Sequence, residues 1–299
     1  MKAEVALLTE RRYVAAAAPE GDWYLGNVLR EDHLLGTALA RLGISSVRVA
    51  WSCPDQDWSD FRCAVFRTTW DYFDRLEEFS TWLSRVPSQT CLCNAPSLIW
   101  WNLDKHYLAD LEARGIPVVR SRFVERGTSV RLTELIQETG WCQAVIKPCV
   151  SGAARHTYRV SPANAEELTP VVERLLATQS LLFQPFEQAV VTQGEDSLMA
   201  FNGRFSHAVR KVAKAGDFRV QDDHGGTVHP FHPTRAQIEL AEAAVAACQP
   251  LPTYGRVDLV QDHEGRPAVM ELELIEPELW LRLHPPAATA LAEAIAQGL

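Results

Sequence analysis

Near its C-terminus the chain reads Arg256-Val257-Asp258-Leu259-Val260 and, after a short polar turn, Ala268-Val269-Met270-Glu271-Leu272-Glu273-Leu274-Ile275-Glu276-Pro277. Both runs alternate as half-buried strands do, so Asp258 projects to one face and Glu271 and Glu273, two residues apart, share a face. Gly265-Arg266-Pro267 supplies a turn that folds the strands antiparallel and gathers the three carboxylates amid apolar residues. Like charges on such a face repel and lose water, so they call for a hard cation, a bound proton or ion-pair partners such as Arg256. An all-oxygen donor set suits Mg²⁺, which usually takes further oxygens from a substrate phosphate.

The bulk properties narrow the class. A chain of 299 residues, 47% hydrophobic and 22% charged, is long enough for two domains or one large composite. A net charge of −9 and a pI near 5.5 argue against nucleic acid or an anionic membrane as the main partner, so an anionic substrate needs a local basic site. Seven scattered cysteines do not make a secreted disulfide framework, and Cys91-Leu92-Cys93 lacks zinc spacing. No apolar run reaches transmembrane length, and MKAEVALLTE reads as a strand rather than a leader. A cytoplasmic protein of buried thiols is expected.

Residues 1–95 alternate strand and helix: strands at Val5 to Thr9, Val47 to Trp51 and Cys63 to Phe66, and a helix from His33 to Leu42. That predicts an open α/β sheet whose ligands meet the carboxyl ends of the strands, where Glu10, Arg11 and Tyr13 and the run Arg67-Thr68-Thr69-Trp70-Asp71-Tyr72 lie. Residues 96–185 predict a second unit: a helix Leu103 to Arg114 capped by Asn102, a strand Ile116 to Val119, a helix around Thr133 to Glu138, and a strand Ala144 to Lys147. That last strand runs into the small-residue loop Ser151-Gly152-Ala153-Ala154, returns as Arg155 to Val160, and leads through Ser161-Pro162 to a helix over Glu166 to Ala177 and a strand Leu181 to Gln184. Residues 186–299 predict antiparallel strands at Glu195 to Phe201, Phe205 to Lys211, Phe218 to Gln221, Arg256 to Gln261 and Ala268 to Ile275. Asn202-Gly203 marks a hairpin, and helices span Ala236 to Cys248 and Ala288 to Ala296.

Isolated cations sit near turns in this second half: Lys105, Lys147, Lys211, Arg219 and Arg256. Lys147 ends an apolar strand and precedes a loop of small residues whose backbone N–H groups can approach phosphate oxygens, and which can close as a lid. The loop lacks the Walker pattern, which excludes a P-loop.

The ordered set Asp104-Lys105, Ile146-Lys147-Pro148, Ser151-Gly152-Ala153, Gln184-Pro185-Phe186-Glu187, Gly194-Glu195, Lys211, Arg256-Val257-Asp258 and Glu271-Leu272-Glu273 resembles the ATP-grasp ligases over about Pro96 to Leu283. The resemblance implies an ATP-grasp fold: an N-terminal open α/β sheet domain, then two α+β lobes that clasp ATP. It further implies Mg²⁺ and activation of a carboxylate as an acyl phosphate. Position by position it implies that Lys105 and Lys147 contact phosphates with Ser151 and Gly152 in the lid, and that Gln184, Phe186 and Glu187 form the adenine hinge. Glu195 would bind ribose, Lys211 the terminal phosphates, and Asp258, Glu271 and Glu273 the metal, while Arg256 steadies the transferred phosphoryl group. The chain has Gln184 where many relatives carry Glu, and Glu273 where many carry Asn.

Ser206-His207-Ala208-Val209-Arg210-Lys211, Gly216-Asp217-Phe218-Arg219-Val220-Gln221 and Gly225-Gly226 are similar to the glutathione-synthetase-like branch, which implies that Arg219 orients the substrate carboxylate. His207 reads as a hydrogen-bonded strand residue rather than a general base. Chain length and the Arg67 to Tyr72 element resemble the cycloserine synthetases, O-ureido-D-serine cyclo-ligases of antibiotic biosynthesis. In these one small amino-acid-like substrate supplies both acyl group and nitrogen. Arg67, Thr69, Asp71 and Tyr72 are then the expected substrate pocket. An intermolecular amino-acid ligase, a nucleotide-binding regulator and a metal hydrolase remain as rival readings, and a homo-oligomer is compatible with the sequence.

Overall fold

Apolar runs with little alternation form strands covered on both faces, and the first quarter of the chain is built from them. In the computed structural model, which describes residues 3–220 and 225–299, β1 (Val5–Thr9), β2 (Ser46–Ala50), β3 (Cys63–Thr68) and β4 (Cys91–Cys93) make a parallel sheet in the order β2-β1-β3-β4. Helix α1 (Trp23–Arg41) starts well before the expected His33, because the Asp22 side chain accepts a hydrogen bond from the Leu25 amide at 3.0 Å and caps it. Helix α2 (Leu76–Arg85), which the apolar pattern did not announce, covers the opposite face through an aromatic nest of Trp51, Trp58, Phe66, Phe79 and Trp82.

The helix expected from Leu103 to Arg114 is instead two, α3 (Pro96–Asn102) and α4 (Tyr107–Ala113). Asn102 does not cap. Its Nδ2 donates to the Leu272 carbonyl (2.8 Å) and its Oδ1 accepts from the Leu274 amide (2.7 Å), so the tertiary partner wins and Lys105 falls in the break. Ile116 to Val119 forms only one parallel bridge, Val118 to Val269, since Pro117 has no amide to extend a ladder.

A four-stranded antiparallel sheet follows, ordered β5-β8-β6-β7, from β5 (Arg122–Val124), β6 (Ala144–Pro148), β7 (Tyr158–Val160) and β8 (Leu181–Pro185). Helices α5 (Leu132–Thr139) and α6 (Ala165–Leu176) pack over it through Leu132, Leu135, Val172 and Leu176. Gly140, in the left-handed region at φ 71°, ends α5. Ser161-Pro162, the N-cap and first-turn proline that the sequence suggests, lie outside α6, which Asn164 immediately precedes.

After the short α7 (Ala189–Thr192), the five-stranded antiparallel sheet has the order β11-β10-β9-β12-β13: β9 (Glu195–Phe201), β10 (Arg204–Val212), β11 (Thr227–Phe231), β12 (Tyr254–Gln261) and β13 (Pro267–Glu273). Asn202 and Gly203, both at positive φ (46° and 76°), make the predicted tight hairpin between β9 and β10. The outer partner of β10 is β11 rather than a strand at 218–221: Phe218 to Val220 is irregular, and Gln221 lies outside the described residues. Helix α8 (Arg235–Ala246), opened by a Thr234/Gln237 capping box, lies on one face of this sheet, and α9 (Ala287–Ala296) packs against α1.

Packing does not respect the divisions at 95 and 185. Leu98, Tyr107, Leu108 and Leu111 of α3 and α4 bury against Leu198, Val257 and Leu272 of the C-terminal sheet, and α9 returns to the core of the N-terminal one. Asn94 pins the two sheets together, donating to the carbonyls of Tyr254 and Leu274 (both 2.8 Å) and accepting from the Thr253 amide (2.6 Å).

Candidate active site

The β12/β13 register sets Asp258 opposite Glu271 and Arg256 opposite Glu273, with a bulge just after Asp258. One carboxylate oxygen from each of Asp258, Glu271 and Glu273 lies within 4.8 Å of the others. Cations from three other places in the chain meet them. Lys105 Nζ stands 3.1 Å from Glu271, and Lys211 Nζ stands 3.0 Å from Asp258 while also pairing with Glu195. Arg256 forks onto Asp258 with two bonds of 2.9 Å and pairs with Glu273 as well.

The charges settle unevenly. Burial opposes ionisation of Asp258, but Arg256, Lys211 and the Ser197 hydroxyl (2.5 Å) hold it well below the usual carboxylate range. Glu273 is pushed up to about 7 by loss of water, against the pull of Arg256 and with the push of Glu271 and Asp258. Burial lowers Lys147, and neighbouring Lys105 lowers it further, against the attraction of Glu271. Glu276 is driven well above the carboxylate range by burial first and Glu273 second. Three carboxylate oxygens within reach of one another, one of them raised by burial and by its acidic neighbours, fit a hard divalent cation such as Mg²⁺, whose charge would offset that repulsion.

All of this faces one cleft of about 860 Å³ between the three sheets. Lys105, Lys147, Ser151, Gly152, Gln184, Phe186, Glu187, Glu195, Lys211, Arg219, Arg256, Asp258, Glu271 and Glu273 all line it. At one end Val145, Phe186, Val190 and Met270 make an apolar slot. Gln184 there is turned to Ser121, its Nε2 donating to Oγ at 3.0 Å, and burial raises Glu187. Over the centre the 151–157 loop is drawn down: Lys105 Nζ donates to the Ser151 carbonyl (2.7 Å) and Arg155 pairs with Asp74 (2.8 Å). Arg219 pairs with Asp217 at 2.7 Å on the rim.

The expected substrate residues behave differently. Arg67 is buried between Asp32 (2.9 Å) and Glu31 (3.9 Å) of α1, Thr69 is fully buried, and Asp71 is engaged by Trp51 (2.7 Å) and Arg75 (2.6 Å). None of the three reaches the cleft, because β3 is central and the α1 side of the sheet takes up Arg67. Tyr72 borders a small recess beside Glu271, Glu273 and Glu276. The N-terminal wall is made by Arg12, Tyr13, Tyr24 and Trp70 instead, and Trp280 closes the far side under Lys211 and Arg256. Tyr13 and Trp70 sit in the strand-end segments the sequence singled out, whereas nothing local marks Tyr24 or Trp280. His207 is buried and bonded to the Leu279 carbonyl at 2.7 Å, as a strand residue should be.

Comparison with known proteins fixes the lineage. A family profile described as "D-cycloserine synthetase DcsG, N-terminal domain" matches residues 5–94. The "Cycloserine biosynthesis protein DcsG" of Streptomyces lavendulae is 35% identical over 280 residues, spanning 88% of this chain and 91% of that one. The chain belongs to the DcsG family. The crystal structure of D-cycloserine synthetase DcsG superposes with a TM-score of 0.82 at 31% identity, covering 98% of this chain and 99% of that one. More distant similar folds include the ATP-grasp ligase PsnB complexed with a phosphomimetic variant of its minimal precursor, Mg and ADP (TM-score 0.63, 16% identity, 100% and 99% covered). D-alanine–D-alanine ligase from Bacillus anthracis with ATP is another (0.65, 14%, 99% and 96%). This DcsG-family protein is thus an ATP-dependent ATP-grasp ligase, an enzyme that forms C–N bonds. Among its described residues no helix is long and apolar enough to cross a membrane.

Proposed function

We propose that this enzyme closes O-ureido-D-serine on itself to give D-cycloserine in the cytoplasm, using ATP and Mg²⁺. The observation that carries the reading is the confluence in one cleft of the lysines, the carboxylate trio and an aromatic wall from the unit that matches the DcsG N-terminal profile.

The adenine occupies the slot of Val145, Phe186 and Met270 with Gln184 and Glu187 at the hinge, and Glu195 turns from Lys211 to the ribose hydroxyls. Lys105, Lys147 and the lid residues Ser151 and Gly152 hold phosphate oxygens, and Lys211 holds the terminal ones. Asp258, Glu271 and Glu273 hold the metal. A Mg²⁺ ion held by these three carboxylates would supply positive charge to offset what builds as two anions approach. In the free protein the same cations and carboxylates neutralise one another, so the site is preorganised and exchanges partners on binding.

Arg219 orients the substrate carboxylate, and Arg256 steadies the γ-phosphoryl group as a carboxylate oxygen attacks its phosphorus, releasing ADP and leaving an acyl phosphate. The hydroxylamine nitrogen of the same molecule then displaces phosphate and forms the ring C–N bond, tethering in place of a second binding event. An unsubstituted ring requires that the carbamoyl group on that nitrogen leave, with water, as carbon dioxide and ammonia. The test is ADP release with ATP, Mg²⁺ and O-ureido-D-serine as the sole amino acid, read with product mass. An absolute need for a second amine would transfer the protein to intermolecular ligation.

A further inference from the structure

Among the acids at the phosphate end of the cleft, one is left over. Glu195, Asp258, Glu271, Glu273 and Glu278 each pair with a lysine or arginine. Glu276 has no ion-pair partner among the described residues, and it stands outside the trio whose oxygens lie within 4.8 Å of one another. It nonetheless borders both the main cleft and the small recess behind the trio. Its backbone is fixed to the aromatic wall: Trp70 Nε1 donates to the Glu276 carbonyl at 3.0 Å, and the Trp70 ring meets Tyr13 edge-on at 5.7 Å.

A second group points into the same recess. Tyr72 is 5% exposed and its hydroxyl makes no hydrogen bond among the described residues. A half-buried acid without an ion-pair partner among the described residues and a tyrosine hydroxyl without a hydrogen bond among them both open on this recess, where a ligand with donors would satisfy them. Lys105, Lys211 and Arg256 are already paired with other acids at this end, and Lys147 is not among the cations that act on Glu276, so a positive charge for Glu276 comes most directly with the substrate.

We propose that Glu276 receives the α-ammonium of the amino-acid substrate, with the Tyr72 hydroxyl beside it and Trp70 and Tyr13 as its aromatic backing. The assignment rests on the cyclisation reading above. The ammonium and the carboxylate of an α-amino acid share one carbon, so a carboxylate oriented by Arg219 toward the phosphoryl group that Arg256 steadies puts the ammonium a few bonds from that end of the cleft. Glu276, three residues beyond Glu273, is the acid available there. Ring faces of Trp70 and Tyr13 favour a cation electrostatically and exclude water from the pair. Glu276 thereby becomes the residue that separates amino acids from plain carboxylic acids.

The experiment compares wild type, Glu276→Gln and Glu276→Asp with ATP and Mg²⁺, taking O-ureido-D-serine as substrate and its deamino analogue, 3-(ureidooxy)propanoate, as competitive inhibitor. Glu276→Gln should raise KM for O-ureido-D-serine by about tenfold or more, since a charge-assisted contact is lost, and change the KM of ATP by less than about twofold. The inhibition constant of the deamino analogue should be shared by wild type and variant, and Glu276→Asp should recover part of the KM. A Glu276→Gln variant that weakens both ligands alike, or leaves the substrate KM untouched, overturns the assignment. If Glu276→Gln does not fold, an Asp variant that weakens both ligands equally does the same. Wild-type turnover is read first and separately: failure to consume O-ureido-D-serine removes the cyclisation reading itself, and the role of Glu276 with it.

Discussion

Arg256 and Asp258, two residues apart on β12, form a fork-to-fork pair in which Nε reaches Oδ1 and Nη2 reaches Oδ2, each at 2.9 Å. Same-strand i, i+2 geometry makes the pair possible, and Ser197 and Lys211 complete the shell around Asp258. A lysine cannot reproduce the fork. Arg256→Lys is expected to lower kcat by about a hundredfold with a much smaller change in ATP affinity, because the loss falls on the charge that develops in transfer. ADP release and calorimetric ATP titration check the two halves.

Glu271, one of the three clustered carboxylates proposed to hold the metal, pairs with Lys105 at 3.1 Å. Glu271→Gln keeps volume and removes charge, so turnover should fall by at least about a hundredfold while the far-ultraviolet circular dichroism stays unchanged. The rise in melting temperature that Mg²⁺ and ATP bring to the wild type should shrink in the variant. An undiminished rise would take Glu271 out of the metal site.

Gly152 meets Phe73 across the lid, and a Cβ there would sit 2.8 Å from Phe73 Cε1. Gly152→Ala should hold the 151–157 loop off the N-terminal unit and reduce kcat/KM by about tenfold, since closure is what excludes water from the phosphates. Phe73→Ala in the same chain makes room for the methyl. The double variant should therefore recover more than the product of the single losses predicts, a non-additivity that steady-state kinetics measures.

Burial pushes His207 down to about 4, assisted by His284 and opposed by the Leu279 carbonyl. Folded protein keeps it neutral while the unfolded chain takes a proton near its ordinary value. Acidification from about pH 6.5 to about pH 4 therefore draws the equilibrium toward the unfolded state, by up to about 3 kcal/mol from this residue. His207→Gln should reduce the stability lost over that window, as read from urea denaturation at pH 7 and pH 4.

Asn94 makes its contacts with Thr253, Tyr254 and Leu274 while 1% exposed. Asn94→Ala strands several of these backbone groups, so it should cost about 3 kcal/mol and lower the melting temperature at every pH. A variant as stable as wild type would show that water replaces the amide.

Much of the carboxylate-and-lysine end of the cleft was legible in the residues. Period-two alternation and the Gly265 turn put Asp258, Glu271 and Glu273 on one patch because antiparallel register is a local consequence of hairpin geometry. The same holds for Asn202-Gly203 and for the fall of Lys147 at the mouth of its loop. Local rules failed at Asn102, which has the chemistry of a helix cap and spends it on the neighbouring sheet. They failed at Phe218 to Val220 too, where apolar content alone does not supply a ladder partner.

The sequence by itself determined the donor types and their order along the chain, since strand period, turn chemistry and charge are properties of neighbours in sequence. Only the tertiary structure decided which N-terminal side chains meet the cleft. Arg67 and Trp70 lie three residues apart at one strand end, yet Arg67 is drawn inward to Asp32 and Glu31 while Trp70 reaches out to Glu276. That choice depends on which face α1 covers and where the C-terminal sheet docks. Both are contacts between residues some 35 to 206 positions apart, beyond the range of any periodicity.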